Sequence, residues 1–271
     1  MAAGPQALKT DQAVGSVVET RSLSPHFTRV VLDVPDLHAL ELPRCGDAAV
    51  GVYFGDTLSA PGRTYTVRRH DQDSGKVVVD VLMHGYGIGT DWVRHVADGD
   101  KVVLAHANSW HRPPAKAEWQ LLVADMAGLP ALARILEEPV GVPTAAIVEV
   151  ADEAALGYLP SESSVPVTRA TGPLVAEVTA GIRAGGYGYC WFAGEATQAR
   201  AVRKYLRREL HWDLEQLDVM GYWRHHSADW DMRFADVGAD LYSVYTAALA
   251  DGRSEKDAME AFDEALERAG L

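Results

Sequence analysis

The sequence predicts two unlike halves, an antiparallel β-barrel or sandwich followed by an α/β domain with a parallel sheet, and then a helical tail. Six short runs rich in Val and Tyr, separated by Pro, Gly and Asp, fill the first hundred residues. Strand-like and helix-like runs alternate from Trp119 onward, and one apolar stripe marks the tail. We therefore divide the chain into residues 1–113, 114–226 and 227–271.

The six runs of the first half are each of strand length. They read VGSVVETRSLS, FTRVVLDV, AAVGVYF, RTYTVRRH, KVVVDVLMH and DKVVLA. DQDSG, at residues 71–75, predicts a hairpin turn between two of them. Pro113 and Pro114 then predict a linker.

The second half alternates in type. WQLLVAD, TAAIVEV, VPVTRA, YGYCWFAG and DVMGYW predict strands, and GLPALARILEE, PLVAEVTAGIRA and EATQARAVRKYLRREL predict helices. Such alternation is typical of a parallel sheet flanked by helices. In the tail, Ser254 stands three residues before Asp257 and predicts the start of one helix.

Composition excludes several classes of protein. The net charge of −13 argues against nucleic acid, which requires a basic surface. No apolar run approaches the roughly 18 residues that span a bilayer, and the first residues lack the apolar segment of a secretory signal. Two cysteines, Cys45 and Cys190, make no disulfide framework, which predicts a reducing cytoplasm.

The segment RTYTVR, at residues 63–68, has the groups that a flavin needs. Arg63 and Tyr65 share one face of a strand, so a ring could rest on Tyr65 while the guanidinium reaches a phosphate. An ordinary exposed strand explains the same letters equally well.

A glycine-rich segment, HGYGIGTDW at residues 84–92, precedes a short helical run. Glycines at a helix start let backbone N–H groups converge on a phosphate. The G-x-G-x-G spacing differs from the dinucleotide fingerprint, and a turn without a ligand is the simpler interpretation of this segment alone.

Two further segments end predicted strands. In WFAGEATQAR a helix begins near Glu195, and Arg200 and Arg203 could meet an adenosine 2′-phosphate, although a solvated helix face is the usual meaning of such a cluster. GYWRHH closes the last strand with two aromatic rings and a cation.

Taken in order, these segments resemble the siderophore-interacting protein family, bacterial FAD-dependent ferric-siderophore reductases. The resemblance covers about residues 14–226 and includes the DxxxLPALARIL segment that begins at Asp125. It implies the ferredoxin-reductase-like layout, with a six-stranded flavin-binding barrel followed by an NAD(P)H-binding α/β domain.

The resemblance and the motifs together assign two sets of cofactor contacts. The FAD set is Arg63, Thr64, Tyr65, Thr66, His84, Gly85, Gly87, Thr90, Trp92 and Trp223. The NAD(P)H set is Asp125, Gly194, Glu195, Ala196, Arg200 and Arg203, which favours NADPH over NADH.

Some positions depart from the family pattern. Met126, Ala127 and Gly128 replace the usual acidic, hydroxyl and alanine positions, and Gly87, Ile88 and Gly89 stand where Gly-Pro-Ala is expected. LAHANSWH, at residues 104–111, replaces a segment that usually contains Gly-Pro. These departures concern the surroundings of the pyrophosphate and the nicotinamide entrance.

The implied reaction passes electrons from NAD(P)H, or from a ferredoxin, through FAD to Fe(III) in a siderophore. Its iron step needs no general acid or base, so no catalytic dyad is assigned. For an anionic siderophore the candidate contacts are Arg68, Arg69 and His70, which could equally be a solvated strand end.

Three alternatives stay open. One is a flavin-dependent reductase of another small molecule, and a second is a siderophore-binding protein without catalysis. The third is a metal-site protein, since the chain has ten histidines. No metal-ligand spacing occurs, however, and adjacent His225 and His226 would point apart on a strand.

Overall fold

The first half of the chain is a closed antiparallel barrel of six strands, which settles the choice between barrel and sandwich. The structure is a computed structural model, and it describes residues 11–85, 87–139, 141–183, 185–225 and 227–271. The barrel strands are β1 Gln12–Ser22, β2 Phe27–Asp33, β3 Ala49–Tyr53, β4 Gly62–Asp71, β5 Lys76–Leu82 and β6 Lys101–Asn108. Their order around the barrel is β1-β2-β5-β4-β3-β6. Residues 1–10 and His226, which carried the signal and metal interpretations, lie outside the described residues.

Valine and leucine side chains fill the barrel because alternate positions of each strand point inward. Val50, Val52 and Val67 are fully buried there. The predicted turn at 71–75 joins β4 to β5, and Gly75 has φ +65°, which glycine adopts at no steric cost. A short helix, α1 (Ile88–His95), packs on β4 and β5 and includes Trp92.

The second half is a five-stranded parallel sheet with the order β11-β10-β7-β8-β9. Its strands are β7 Trp119–Ala124, β8 Thr144–Val148, β9 Val167–Arg169, β10 Gly188–Glu195 and β11 Leu217–Trp223. The helices are α2 Leu129–Glu137, α3 Glu153–Leu156, α4 Leu174–Gly181 and α5 Ala196–Lys204. The strand order reverses between β7 and β10, and ligands of such sheets bind at the carboxyl ends of the strands flanking that point.

The tail contains two helices where the sequence predicted one. The predicted helix is α7 (Glu255–Arg268), capped by Ser254, whose side chain accepts from the Asp257 amide. A longer helix, α6 (Ser227–Ala250), precedes it and packs mainly on α7. Its apolar residues form no single clean stripe, and much of its surface is exposed, including Met232 and Tyr242.

Helix α7 lies beside β11, which is an edge strand of the sheet. Lys256 donates to the Leu217 carbonyl at 3.2 Å and forms a 2.7 Å ion pair with Asp218. Side-chain cations thus satisfy backbone carbonyls that a further strand would otherwise pair.

A buried carboxylate joins the barrel to the sheet. Asp47, in the segment before β3, accepts from the indole N–H of Trp191 on β10 at 3.1 Å and from the backbone amide of His111 at 2.7 Å. Burial raises the pKa of Asp47, and these donors offset part of that cost. The contact ties the segment before β3 to the middle of β10 in the parallel sheet.

Among the residues that the structure describes, no helix has the length and apolarity needed to cross a membrane.

Candidate functional site

Arg63 and Tyr65 lie two residues apart on β4 of the barrel, so their side chains point to the same face of the strand. Arg63 is exposed, and its guanidinium donates to the neighbouring Gly62 carbonyl at 2.9 Å. Within the described residues it forms no ion pair with a carboxylate. Most of its five N–H donors are therefore available to an anionic group.

Tyr65 meets the glycine-rich turn. A Cβ placed on Gly89 would lie 2.2 Å from the Tyr65 hydroxyl oxygen, so any side chain at that position would have to displace the Tyr65 ring. Burial raises the pKa of the Tyr65 hydroxyl. The close approach brings the start of α1 against β4, so the turn and the RTYTVR strand form one surface.

The turn itself is held in shape by α1. The Thr90 hydroxyl accepts from the His84 amide at 3.4 Å, and Arg94 donates to the Gly85 carbonyl at 3.4 Å. Gly87 has φ +130°, and a Cβ there would lie 2.8 Å from the His84 ring. Steric limits thus apply at Gly87 and Gly89, whereas a Cβ on Gly85 would meet no atom within 4 Å.

An aromatic pair that sequence reasoning only half identified stands beside Tyr65. Trp92 stacks on Phe54, with ring centroids 4.4 Å apart and planes 14° apart. Phe54 lies just after β3 and outside any motif, so only its strand neighbourhood could have indicated it. The threonines of the motif face away from Tyr65; Thr64 is exposed, whereas Thr66 is buried.

At the carboxyl edge of the sheet, four predicted nucleotide contacts come together at the reversal of strand order. Asp125 follows β7, and Gly194 and Glu195 end β10 beside it. Glu195 caps α5 by accepting from the amides of Thr197 and Gln198 at 2.6 and 3.0 Å. Ala196 is the first residue of that helix.

Asp125 is buried and is the acceptor around which this edge is organised. One carboxylate oxygen accepts from the amides of Ala127 and Gly128, at 2.8 and 3.2 Å, and the other from the Trp223 indole at 2.5 Å. Burial raises its pKa to about 6, although these three donors act in the opposite direction.

The structure does not support the predicted role of Arg200 and Arg203. Arg203 pairs with Asp263 of α7 and donates to the Val219 carbonyl of β11, and Arg200 donates to the Leu271 carbonyl. Both guanidiniums therefore hold the tail against α5. The sequence could not reveal this, because the acidic partner lies 60 residues away.

The three predicted substrate contacts also separate. Arg68 is 6% exposed and binds Glu137 of α2 at 2.7 Å and Tyr158 at 3.0 Å, so it links the barrel to the α/β half and does not face solvent. Arg69 is exposed, and His70 is half-buried with its pKa lowered by burial and by the charges of Arg134 and Arg44. Arg44 and Arg134 lie near His70, and Glu137 and Glu138 lie near Arg134, so these cations stand among carboxylates.

Two observations test whether these residues suit a flavin. Arg63 has donors without a carboxylate partner, and the close approach at Gly89 holds Tyr65 against a preformed glycine turn. FAD is a dinucleotide whose pyrophosphate can accept from the Arg63 donors and whose flat ring can pack on the Tyr65 surface. The residues therefore fit FAD. The described residues contain no group of three or more His, Cys, Asp or Glu that could hold a metal ion.

Comparisons with known proteins give one matching sequence model for each half of the chain. A sequence model described as siderophore-interacting protein matches residues 117–226, and one described as siderophore-interacting FAD-binding domain matches residues 53–109. The uncharacterized protein Rv2895c of Mycobacterium tuberculosis is 30% identical over 77% of this chain and 88% of its own.

A more distant relative and a solved structure extend the comparison. The NADPH-dependent ferric-chelate reductase of Escherichia coli is 30% identical over 40% of this chain and 44% of its own. The siderophore-interacting protein of Acinetobacter baumannii has the same fold, with a TM-score of 0.72 and 20% identity over 86% of this chain and 99% of its own. The barrel surface, the matched residues and this fold place the chain in the siderophore-interacting protein family, with an FAD-binding domain.

Proposed function

We propose that this protein is an FAD-dependent reductase that takes electrons from NAD(P)H and delivers them to Fe(III) in a siderophore, releasing Fe(II). The observation that carries the proposal is the pairing of the unneutralised Arg63 with the Tyr65 surface and the glycine-rich turn. Family membership supports the acceptor, and the name of the Escherichia coli relative supports the reaction type.

Each residue of the barrel surface has a distinct task in this proposal. Arg63 and the amides that begin α1 hold the pyrophosphate, and Tyr65 supports one face of the flat ring. When bound, FAD supplies the exchange between two-electron and one-electron chemistry that an iron acceptor requires.

The three cations Arg44, Arg69 and Arg134 form the proposed dock for an anionic ferric siderophore. Arg69 lies six residues from Arg63 along β4, which corresponds to about 20 Å at the usual rise of an extended strand. The substrate therefore approaches along the strand from the end opposite the pyrophosphate. Both cysteines are free thiols, which agrees with a reaction in the cytoplasm.

The first experiment is the visible spectrum of the purified protein after incubation with FAD, recorded without oxygen before and after addition of NADH or NADPH. Bleached flavin bands, followed by trapping of Fe(II) when a ferric catecholate or hydroxamate is added, are the expected result. An Arg63→Ala variant is the matched control, because it should bind little FAD and reduce no iron.

Each other outcome points to a different function. Flavin bands that neither nucleotide bleaches would move the electron donor to a ferredoxin. Bleached bands without iron reduction would favour reduction of another small molecule. Absence of flavin binding would leave a siderophore-binding protein and overturn the reductase.

A further inference from the structure

The Trp223 side chain crosses the carboxyl edge of the parallel sheet. Trp223 ends β11 and Asp125 follows β7, and β10 lies between these two strands. Neighbouring strands are about 4.8 Å apart, so an indole that reaches from β11 to the far side of β10 spans the point where the strand order reverses. The indole N–H and the Asp125 oxygen are 2.5 Å apart at the end of this span.

The surrounding residues leave room for this contact and hold it in place. Gly194 ends β10, and a Cβ at that position would lie 3.0 Å from the Asp125 carboxylate. The second oxygen of Asp125 is fixed by the Ala127 and Gly128 amides. The loop before α2 therefore holds in place the Asp125 carboxylate, which accepts from the indole N–H.

The indole remains 40% exposed although its N–H is hidden. The His225 ring packs edge-on against it, with centroids 4.4 Å apart. A fixed aromatic ring with part of its surface open to solvent is suited to stacking against another flat ring. In sheets of this type the ligand crevice lies where the indole is held.

We propose that Asp125 is a positioning residue that fixes Trp223 across the end of β10, and that the exposed indole is the surface on which the nicotinamide end of the donor packs. The proposal rests on the proposed function and deepens it. It also revises two sequence assignments, since Trp223 then serves the nicotinamide and Asp125 acts through Trp223.

Direct contact between Asp125 and the nucleotide is the competing explanation. Asp125 is 6% exposed, and both of its oxygens already accept hydrogen bonds. Its carboxylate has one further acceptor site, and its burial is what restricts access by a nucleotide group. The geometry thus favours an indirect role.

A double-mutant cycle separates the two explanations. Asp125→Asn has one side-chain oxygen and cannot accept from both the loop amides and the indole, and Trp223→Phe keeps a ring but has no N–H to donate. KM and kcat for NADH and NADPH would be measured for wild type, both single variants and the double variant, with ferricyanide as the acceptor. Each single variant should raise KM about tenfold with kcat nearly unchanged. The double variant should also raise KM by only about tenfold, because both substitutions remove the same contact.

If the two substitutions acted independently, KM of the double variant would rise about one hundredfold. That result would overturn the indirect role of Asp125. A KM that is unchanged or lowered in Trp223→Phe and in Trp223→Ala would overturn the stacking surface, whether or not the Asp125 variant folds. Trp212→Phe, at the opposite end of the sheet, is the control and should leave KM unchanged.

Flavin titrations keep this test distinct from that of the proposed function. FAD affinity should change less than about twofold in all these variants if Trp223 serves the nicotinamide, and a parallel loss of FAD affinity would assign the indole to the flavin instead. If the wild type bound no FAD, quenching of tryptophan fluorescence by NAD⁺, compared between wild type and Trp223→Phe, would still report on the nucleotide site. Equal quenching in those two proteins would overturn the proposal.

Discussion

Two arginine sites, one on the barrel and one on α5, look alike in the sequence and differ in the folded protein. Arg63 of the barrel is exposed and donates only to a neighbouring carbonyl among its described contacts. Arg203 of α5 is surrounded by the tail and by β11, and burial lowers its pKa. The comparison teaches that an arginine near a predicted site indicates a ligand only if its donors remain free after folding.

The tail explains why the second site is closed. Its helix α7 runs antiparallel to α5, and Glu260, Asp263 and Glu264 meet Arg207, Arg203 and Arg208 in turn. Three of the 11 acidic residues in the tail thus have a structural role beside α5. One of them, Asp263, neutralises Arg203, which the sequence assigned to NADPH.

The largest expected effect comes from a substitution of Arg203 in the closed site on α5. Arg203→Ala should lower the free energy of unfolding by about 3 kcal/mol, because it leaves the Asp263 carboxylate and the Val219 carbonyl without their partner. Urea unfolding would measure the loss. FAD affinity should stay within about twofold of wild type, and a stable variant with weakened NADPH binding would restore Arg203 to the nucleotide site.

The next largest effect comes from a substitution of Arg63 in the open site on the barrel. Arg63→Ala should weaken FAD binding about 100-fold with little change in stability, since the guanidinium contributes to the ligand and not to the fold. Flavin fluorescence titration would measure the affinity. Arg69→Ala, on the same strand and also exposed, is the matched control. Equal effects of the two substitutions would contradict a specific role of Arg63.

A smaller effect tests the glycine turn beside Arg63. Gly89→Ala should weaken FAD binding about tenfold, because the new methyl group would collide with the Tyr65 hydroxyl and displace the ring. Tyr65→Phe in the same chain should recover most of the affinity, since it removes the colliding oxygen and keeps the ring. The same titration measures both, and failure of the second change to restore binding would show that the collision is not the cause.

The last effect is a dependence of stability on pH, and it concerns Asp125, whose pKa is raised. The folded pKa of about 6 exceeds the ordinary value of 3.8, so its contribution is full below pH 4 and is lost as pH rises through 6. The groups that face it are the Trp223 indole, the loop amides, Glu149 and Tyr222. Between pH 4 and 7 the free energy of unfolding of the wild type should fall by about 2 kcal/mol relative to that of Asp125→Asn. A constant difference between the two proteins across this range would contradict the raised pKa.

The sequence determined the architecture, because periodicity and turn residues act locally. Val-rich runs separated by turn residues predicted the strands of the barrel, and the alternation of strand and helix patterns predicted the parallel sheet. Ser254 marked the start of α7. The motif residues Arg63, Tyr65 and Gly89 also meet as one surface, since they lie on β4 and on the helix that packs against it. The exposed, mixed surface of α6 gave no comparable periodic signal.

Only the tertiary structure decided which charges and rings are available to a ligand. Arg68 is held by Glu137 at a separation of 69 residues, Arg203 by Asp263 at 60, and Trp223 by Asp125 at 98. No local pattern encodes such pairings, because they depend on where the barrel, the sheet and the tail come to lie in space. The residue types thus fixed the possible chemistry, and the long-range contacts fixed which residues can perform it.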